Sequence, residues 1–154
     1  MFHDDFFFTL ILCKSTKTFY TFAYNSTKSA MNTHSCLLCL GSNFERELRM
    51  DNARKALAEL FPGILFSAEM ETEAIGGGVR SPFSNQVAKL ETCHSLEQLR
   101  SLLKSIEAVN GRCAEDKEQG IVRLDIDILV YDQEILKPAD LERDYVKEGL
   151  KALK

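Results

Sequence analysis

Two carboxylates stand two residues apart in segment 123–129, whose sequence R-L-D-I-D-I-L alternates polar and apolar residues without a break. Residues two apart on a β-strand point to the same face, so Arg123, Asp125 and Asp127 share one side of the predicted strand. Two carboxylates about 6.6–7 Å apart repel each other unless a cation lies between them. Mg²⁺ prefers such oxygen ligands and takes its remaining ligands from water and substrate phosphates. The pattern therefore indicates either a magnesium site or a solvated sheet face on which Arg123 neutralises the pair.

The strand that carries this pair is the last of four that the hydrophobic pattern predicts, over 36–40, 64–72, 83–92 and 122–131. A first helix, with apolar residues from Leu48 to Leu60, ends at the breaker segment 61–63. A second helix begins at a capping box of Ser95 and Gln98 and stops at Gly111. The order β-α-β-β-α-β predicts a ferredoxin-like α+β sandwich, an antiparallel sheet with helices on one face. A C-terminal helix is expected to follow, with Asp140 as its cap.

The N-terminal segment differs in composition from the rest of the chain. Eight of the fourteen aromatic residues precede Met31, and none of the eight glycines does. Segment 6–12 resembles the apolar part of a signal peptide, but Asp4 and Asp5 stand where such a peptide carries positive charge. We therefore expect residues 1–33 to be an extension, poorly ordered or upstream of a native start at Met31, and residues 34–154 to form the functional domain. The alternative is a membrane-associating arm.

Charge and hydropathy limit the kinds of partner. The 154 residues include 19 Lys and Arg against 23 Asp and Glu, which gives a net charge of −4. Duplex nucleic-acid binders normally present a basic surface, and no stretch approaches the roughly 18 apolar residues of a membrane span. We expect a domain that binds small molecules, without nucleic-acid or membrane partners, as a monomer or a weak homodimer.

Five cysteines are an odd number in a chain without a convincing export signal, which favours free thiols and a cytoplasmic location. Cys36 and Cys39 form a C-x-x-C pattern, which can hold zinc or carry redox chemistry. They lie three apart in an apolar strand, however, and so point to opposite faces. We expect ordinary core cysteines here rather than a metal site.

Four segments, in order, resemble the 6-hydroxymethyl-7,8-dihydropterin pyrophosphokinase family. Segment 41–43 (G-S-N), after the first strand, is similar to the family's G-S-N opening, and segment 83–85 (F-S-N) to its aromatic-x-Asn strand. Segment 106–112 (I-E-A-V-N-G-R) resembles its I-E-x-x-x-G-R, and segment 123–128 resembles its R-x-x-D-x-D strand with the arginine one residue closer to Asp125. The similarity extends from about Ser35 to Val146, and the family fold is also ferredoxin-like.

The resemblance implies an enzyme of folate biosynthesis that transfers pyrophosphate from ATP to a reduced hydroxymethylpterin with the help of two Mg²⁺ ions. Asp125 and Asp127 match the carboxylates that hold both metals, and Arg123 is expected to act with them in catalysis. The matches on the pterin side are Thr72, Phe83, Asn85 and Tyr145. On the ATP side we expect Lys104, Glu107 and Arg112. Without the resemblance, Glu107 would be interpreted as a solvated helix residue.

The chain departs from the family pattern mainly on the ATP side. The family usually carries several Arg, and often a Trp, between G-R and D-x-D, whereas segment 113–120 is acidic and contains no Trp. The family's V-P-H-P-like segment is missing between Leu136 and Arg143, and segment 74–78 (A-I-G-G-G) replaces its proline-rich pterin loop. Two hypotheses follow: an active pyrophosphokinase that uses Lys104, Lys117 or Arg123 on the phosphates, or a non-catalytic relative that binds a pterin-like or nucleotide ligand.

Overall fold

The computed structural model describes residues 8–10, 21–23, 32–73, 81–111, 113, 116 and 118–153, which belong to two compact units, Met1–Met31 and Asn32–Lys154. In the first unit, strands β1 (Phe8–Leu10) and β2 (Thr21–Ala23) pair in antiparallel fashion. The sequence pattern predicted neither strand. The site residues that the structure describes all belong to the second unit.

The described residues of the second unit form six strands and four helices. Its strands are β3 (His34–Ser42), β4 (Leu65–Phe66), β5 (Met70–Thr72), β6 (Phe83–Thr92), β7 (Asp125–Tyr131) and β8 (Glu134–Ile135). Its helices are α1 (Arg46–Leu60), α2 (Leu96–Val109), α3 (Pro138–Leu141) and α4 (Asp144–Ala152). The capping box that was predicted at Ser95 and Gln98 is present at the start of α2. Among the residues that the structure describes, no helix has the length and apolar character needed to cross a membrane.

The strands of the second unit form one antiparallel sheet in the order β4-β6-β3-β7-β8, and β5 pairs with the same edge of β6 as β4. If β4 and β5 are counted together as the second strand of a β-α-β-β-α-β unit, the spatial order is fourth, first, third, second. This is the ferredoxin-like arrangement, and the predicted fold class is therefore confirmed.

The prediction of one continuous strand over 64–72 was wrong, because residues 67–69 separate β4 from β5. Ser67 explains the interruption. Its backbone amide donates to the Val87 carbonyl at 2.9 Å, and its hydroxyl accepts from the Val87 amide at 3.0 Å. A side-chain oxygen thus replaces a backbone carbonyl in the ladder, and the strand is broken at that position.

The prediction that Asp140 caps a C-terminal helix was also wrong. Asp140 lies inside the short helix α3, where its Oδ1 accepts from Nε of Arg143 at 2.8 Å. The longer helix α4 begins four residues later, at Asp144. Pro138 explains the early start of α3, because proline suits the first turn of a helix.

Each face of the sheet has its own apolar cluster. Helices α1 and α2 cover the first face, where Leu38, Leu40 and Ile126 pack against Met50 and Leu103. The second face carries a smaller cluster, whose buried members are Leu37, Val87, Leu129 and Val146. Helix α4 lies on that second face rather than beside α1 and α2, which makes the sandwich three-layered along part of the sheet.

Gly149 allows α4 to approach the second face closely. A Cβ atom at this position would lie 2.8 Å from Cγ2 of Val87 and 3.2 Å from Oγ of Ser67. Any larger residue would push the helix away from β6. The second face is thus covered by α4 near Val87.

Candidate active site

Three strands bring the predicted site residues onto the second face of the sheet. Gly41 of β3 lies opposite Asn85 of β6 on one side and opposite Asp125 of β7 on the other. Because opposed residues of an antiparallel pair point to the same side, Asn85 and Asp125 share a face, with Cα atoms about 9–10 Å apart. Gly41 contributes no side chain to the space between them. The neighbouring row on the same face consists of Val87, Cys39 and Asp127.

The residues predicted for the pterin side meet at the β5–β6 edge. Thr72 lies opposite Phe83 in the ladder, and Nδ2 of Asn85 donates to Oγ1 of Thr72 at 2.7 Å. Asn85 is only 7% exposed, so this hydrogen bond fixes the orientation of a buried amide. An amide offers a donor and an acceptor, and an aromatic ring offers a flat surface, which together suit the edge and face of a heterocycle.

Tyr145, the fourth residue predicted for the pterin side, lies in the first turn of α4 and packs against the cluster of the second face. The Cys39 thiol donates to its hydroxyl across 3.9 Å. Burial raises the pKa of Cys39 to about 12 and raises the pKa of Tyr145 as well, so both groups are neutral near pH 7. Tyr145 therefore covers the row next to the one that contains Asn85 and Asp125.

The two carboxylates of the D-x-D pair each have a lysine nearby. Nζ of Lys137, the residue just before α3, lies 3.0 Å from Oδ1 of Asp127. Nζ of Lys104, on α2, lies 3.9 Å from Oδ1 of Asp125. The hydrogen bond to Asp127 raises the pKa of Lys137, which keeps its ammonium charged. Lys137 thus forms a direct ion pair with Asp127, whereas the contact of Lys104 with Asp125 is longer.

Asp125 and Asp127 could supply part of the ligand set of a Mg²⁺ ion. Within the described segments, no group of three or more His, Cys, Asp or Glu side chains could hold a metal ion. Mg²⁺ does not need such a cage, since it is commonly held by one or two carboxylates together with water and substrate phosphates. Asp125 and Asp127, on one partly exposed face, are a donor set of this kind.

Glu107 is fully buried, so its interpretation as a solvated helix residue was wrong. Its Oε1 accepts from the Ile126 backbone amide at 2.9 Å, and both of its oxygens accept from Nζ of Lys104, at 2.7 and 2.9 Å. Ile126 stands between Asp125 and Asp127. Glu107 therefore holds the part of β7 that carries the two carboxylates.

Arg123 lies before β7 rather than in it, so the alternation that would place it beside Asp125 and Asp127 does not extend to it. Its Nε and Nη2 donate to the two carboxylate oxygens of Asp116 at 2.6 and 3.1 Å, and its guanidinium lies 4.6 Å from the centre of the Phe44 ring. These hydrogen bonds lower the pKa of Asp116. A role of Arg123 on the phosphates stays a prediction.

The G-S-N segment anchors the chain that leads into β7. The Ser42 hydroxyl donates to the Arg123 carbonyl at 2.6 Å. Asn43 donates through Nδ2 to the Gly120 carbonyl at 2.9 Å and accepts from the Val122 amide at 2.6 Å. These contacts give the segment a structural purpose, which is to fix the entry to the strand of Asp125 and Asp127.

Sequence reasoning missed Lys137. It lies ten positions after Asp127, and the turn between β7 and β8 brings it back to the sheet. No periodic pattern signals this contact, because it depends on tertiary structure. Arg112, Lys117 and segment 74–78 were also singled out from the sequence, and all lie outside the described residues.

Cys36 and Cys39 belong to the clusters on opposite faces of the sheet, as expected from their spacing. They are thiols, and neither forms a disulfide. Burial raises the pKa of Cys36 to about 11. Both are ordinary packed residues of the two apolar layers.

Comparison with known proteins gives one result that bears on identity. No curated protein matches the chain significantly. A family model described as 7,8-dihydro-6-hydroxymethylpterin-pyrophosphokinase matches residues 37–154, which is most of the chain. The match spans β3 to α4 and includes Asn85, Glu107, Asp125 and Asp127. The chain therefore belongs to the 7,8-dihydro-6-hydroxymethylpterin-pyrophosphokinase family.

Proposed function

We propose that the protein transfers the pyrophosphoryl group of ATP to the hydroxymethyl group of a reduced pterin, with two Mg²⁺ ions, as a step of folate biosynthesis in the cytoplasm. One observation carries the proposal. Asn85 and Asp125 occupy one row on the same sheet face, separated by the side-chain-free position Gly41. A flat acceptor held at Asn85 would then lie beside the carboxylates.

In this reaction the hydroxymethyl oxygen attacks the β-phosphorus of ATP and gives up its proton to water. The bond from that phosphorus to the oxygen that bridges to the α-phosphate breaks, and AMP leaves. Mg²⁺ bound to Asp125 and Asp127 would neutralise the charge of the phosphates. Asn85 and Thr72 would orient the pterin edge, and Phe83 and Tyr145 would contact its ring.

Glu107 was expected to contact ATP, but its side chain is fully buried, so its role in the reaction is to position β7. By accepting the Ile126 amide, it fixes the backbone between the two carboxylates, so that they need not reorganise when the phosphates arrive. Lys104 is bound to Glu107 and lies 3.9 Å from Asp125, and it is the residue of α2 that would contact a phosphate oxygen.

The second hypothesis, a relative that binds a pterin-like or nucleotide ligand without turnover, is supported by a different observation. Arg123 is engaged by Asp116, and segment 113–120 is acidic where the family pattern has arginines. Anionic side chains repel a triphosphate and cannot supply the forked donors of arginine. Binding of a reduced pterin without release of AMP would favour this hypothesis.

The test is an assay for AMP release from ATP, Mg²⁺ and 6-hydroxymethyl-7,8-dihydropterin, together with titration of a non-hydrolysable ATP analogue with and without Mg²⁺. Asp127→Asn should abolish most AMP release and most of the Mg²⁺ dependence of binding. Asp51→Asn is the matched control, because Asp51 also pairs with a lysine, Lys55 at 2.7 Å, but on the surface of α1. Identical binding curves for wild type and Asp127→Asn would contradict the metal site and with it the proposed function.

A further inference from the structure

The backbone of Lys137 is fixed beside the D-x-D strand at both of its polar groups. Its amide donates to the Leu129 carbonyl at 3.3 Å, two residues along β7 from Asp127. Its carbonyl accepts from the amides of Asp140 and Leu141, at 3.2 and 3.3 Å, in the first turn of α3. The lysine side chain therefore starts from a defined position close to Asp127.

From this position the ammonium group of Lys137 contacts Asp127, a candidate metal ligand. Nζ lies 3.0 Å from Oδ1 of Asp127, while the Lys137 side chain remains 46% exposed and that of Asp127 30% exposed. An ammonium on a flexible four-carbon stem can move without disturbing the fold. The contact is thus an accessible ion pair rather than a buried structural one.

A metal ion and this ammonium compete for the same carboxylate. Both are cations attracted to Asp127, and a dication bound there would repel an ammonium a few ångströms away. The triphosphate that accompanies the metal offers the displaced ammonium new acceptors, since lysine is a common phosphate-binding group. Segment 113–120 is acidic where the family pattern has arginines, so a lysine from elsewhere in the chain would help to neutralise the phosphates.

We propose that Lys137 is an exchangeable cation of the active site, which neutralises Asp127 in the free protein and transfers its ammonium to a phosphate oxygen when metal and nucleotide bind. The inference rests on the proposed function, because it assigns Lys137 to the phosphates of that reaction. It gives Lys137 opposite effects on two ligands: it opposes binding of metal alone and favours binding of the metal–nucleotide complex.

The experiment compares wild type and Lys137→Gln in two titrations, free Mn²⁺ followed by electron paramagnetic resonance and a non-hydrolysable ATP analogue with Mg²⁺ followed by calorimetry. Mn²⁺ should bind about three- to tenfold more tightly to the variant, and the analogue about tenfold more weakly. In the Asp127→Asn background, Lys137→Gln should no longer raise Mn²⁺ affinity. Lys147→Gln is the matched control, since Lys147 forms a surface pair with Glu142 at 2.8 Å.

The opposite signs distinguish the proposal from a loss of fold, which would weaken both ligands. Unchanged affinity in either titration, a decrease in both, or no Mn²⁺ binding by either protein would overturn it. Neither titration requires turnover. Opposite shifts without AMP release would therefore reject the transfer reaction and retain the role of Lys137.

Discussion

Asn85 and Asp125 face the same side of the sheet on either side of Gly41, although β6 and β7 are not neighbours. A Cβ atom on Gly41 would lie 3.3 Å from Oδ1 of Asn85, which is closer than an ordinary contact. Gly41→Ala should therefore displace the amide and lower affinity for the reduced pterin by about tenfold, measured by calorimetry. The melting temperature should change by only a few degrees, because Gly41 is not in the apolar clusters. Unchanged pterin affinity in a folded variant would show that the space between Asn85 and Asp125 is not used.

The hydrogen bond between Asn85 and Thr72 predicts a graded loss of pterin binding. Asn85→Ala removes the donor and acceptor and should cost about one to two decades of affinity. Thr72→Val keeps the shape but removes the acceptor that orients the amide, so its effect should be smaller, and the double variant should not be additive. Nucleotide affinity is the internal control. If the affinities for pterin and nucleotide fall equally, Asn85 does not act specifically on the pterin side of the site.

The parts of this site that sequence could predict are those set by local periodicity. Alternation along β7 correctly assigned Asp125 and Asp127 to one face of that strand, whereas the position of Asn85 on the same sheet face follows only from the register of β6, β3 and β7. Glu107 could have been recognised as buried, since it follows Leu99 and Leu103 at intervals of four on the apolar stripe of α2.

Other features depend on contacts between distant segments, and no local pattern signals them. The pairing of Lys137 with Asp127 requires the turn after β7, and the second apolar layer requires Gly149 to dock against Val87. The prediction that Arg123 lies on the face of Asp125 and Asp127 extended the alternation beyond the start of β7. In the structure, Arg123 precedes the strand and its side chain donates to Asp116.

Glu107 is predicted to stabilise the fold as well as the site. Glu107→Ala leaves the Ile126 amide and Lys104 without this buried acceptor and should lower the free energy of unfolding by about 2–4 kcal/mol. Glu107→Gln keeps an oxygen for Ile126 and should lose less. Urea denaturation measures both, with Glu97→Gln on the exposed surface of α2 as the control. A loss in Glu107→Ala no larger than in Glu97→Gln would contradict the prediction.

Cys39 should make stability fall in alkaline solution. Its pKa is raised by burial from 9.0 to about 12, so below pH 9 the thiol is protonated in both the folded and the unfolded chain. Between pH 9 and 12 the unfolded chain loses the proton first, and the free energy of unfolding falls by at most about 1.4 kcal/mol per pH unit. Cys39→Ser does not titrate and should show a shallower decline between pH 9 and 10.

The comparison for Cys39 uses urea midpoints at pH 8, 9 and 10. Cys113→Ser, at an exposed position, should retain the wild-type slope. Parallel curves for wild type and Cys39→Ser would indicate that the unfolded and folded thiols titrate alike, contrary to the packing of the partly buried Cys39 thiol against Tyr145.

Asp116 and Arg123 allow the two functional hypotheses to be separated by one substitution. A guanidinium that is forked onto a carboxylate has its charge neutralised and its Nε and Nη2 donors occupied, which weakens its attraction for a phosphate. If Arg123 serves the phosphates, Asp116→Asn should release it and raise affinity for an ATP analogue with Mg²⁺ by about two- to fivefold, more at low salt than at high salt. Arg123→Gln should then weaken the same binding.

Glu71→Gln, which breaks the surface pair of Glu71 with Arg46 at 2.6 Å, controls for the loss of one negative charge. If Asp116→Asn instead lowers the melting temperature and leaves nucleotide affinity unchanged, Arg123 is an anchor for the chain that enters β7, and the phosphates must rely on Lys104, Lys137 and the metal.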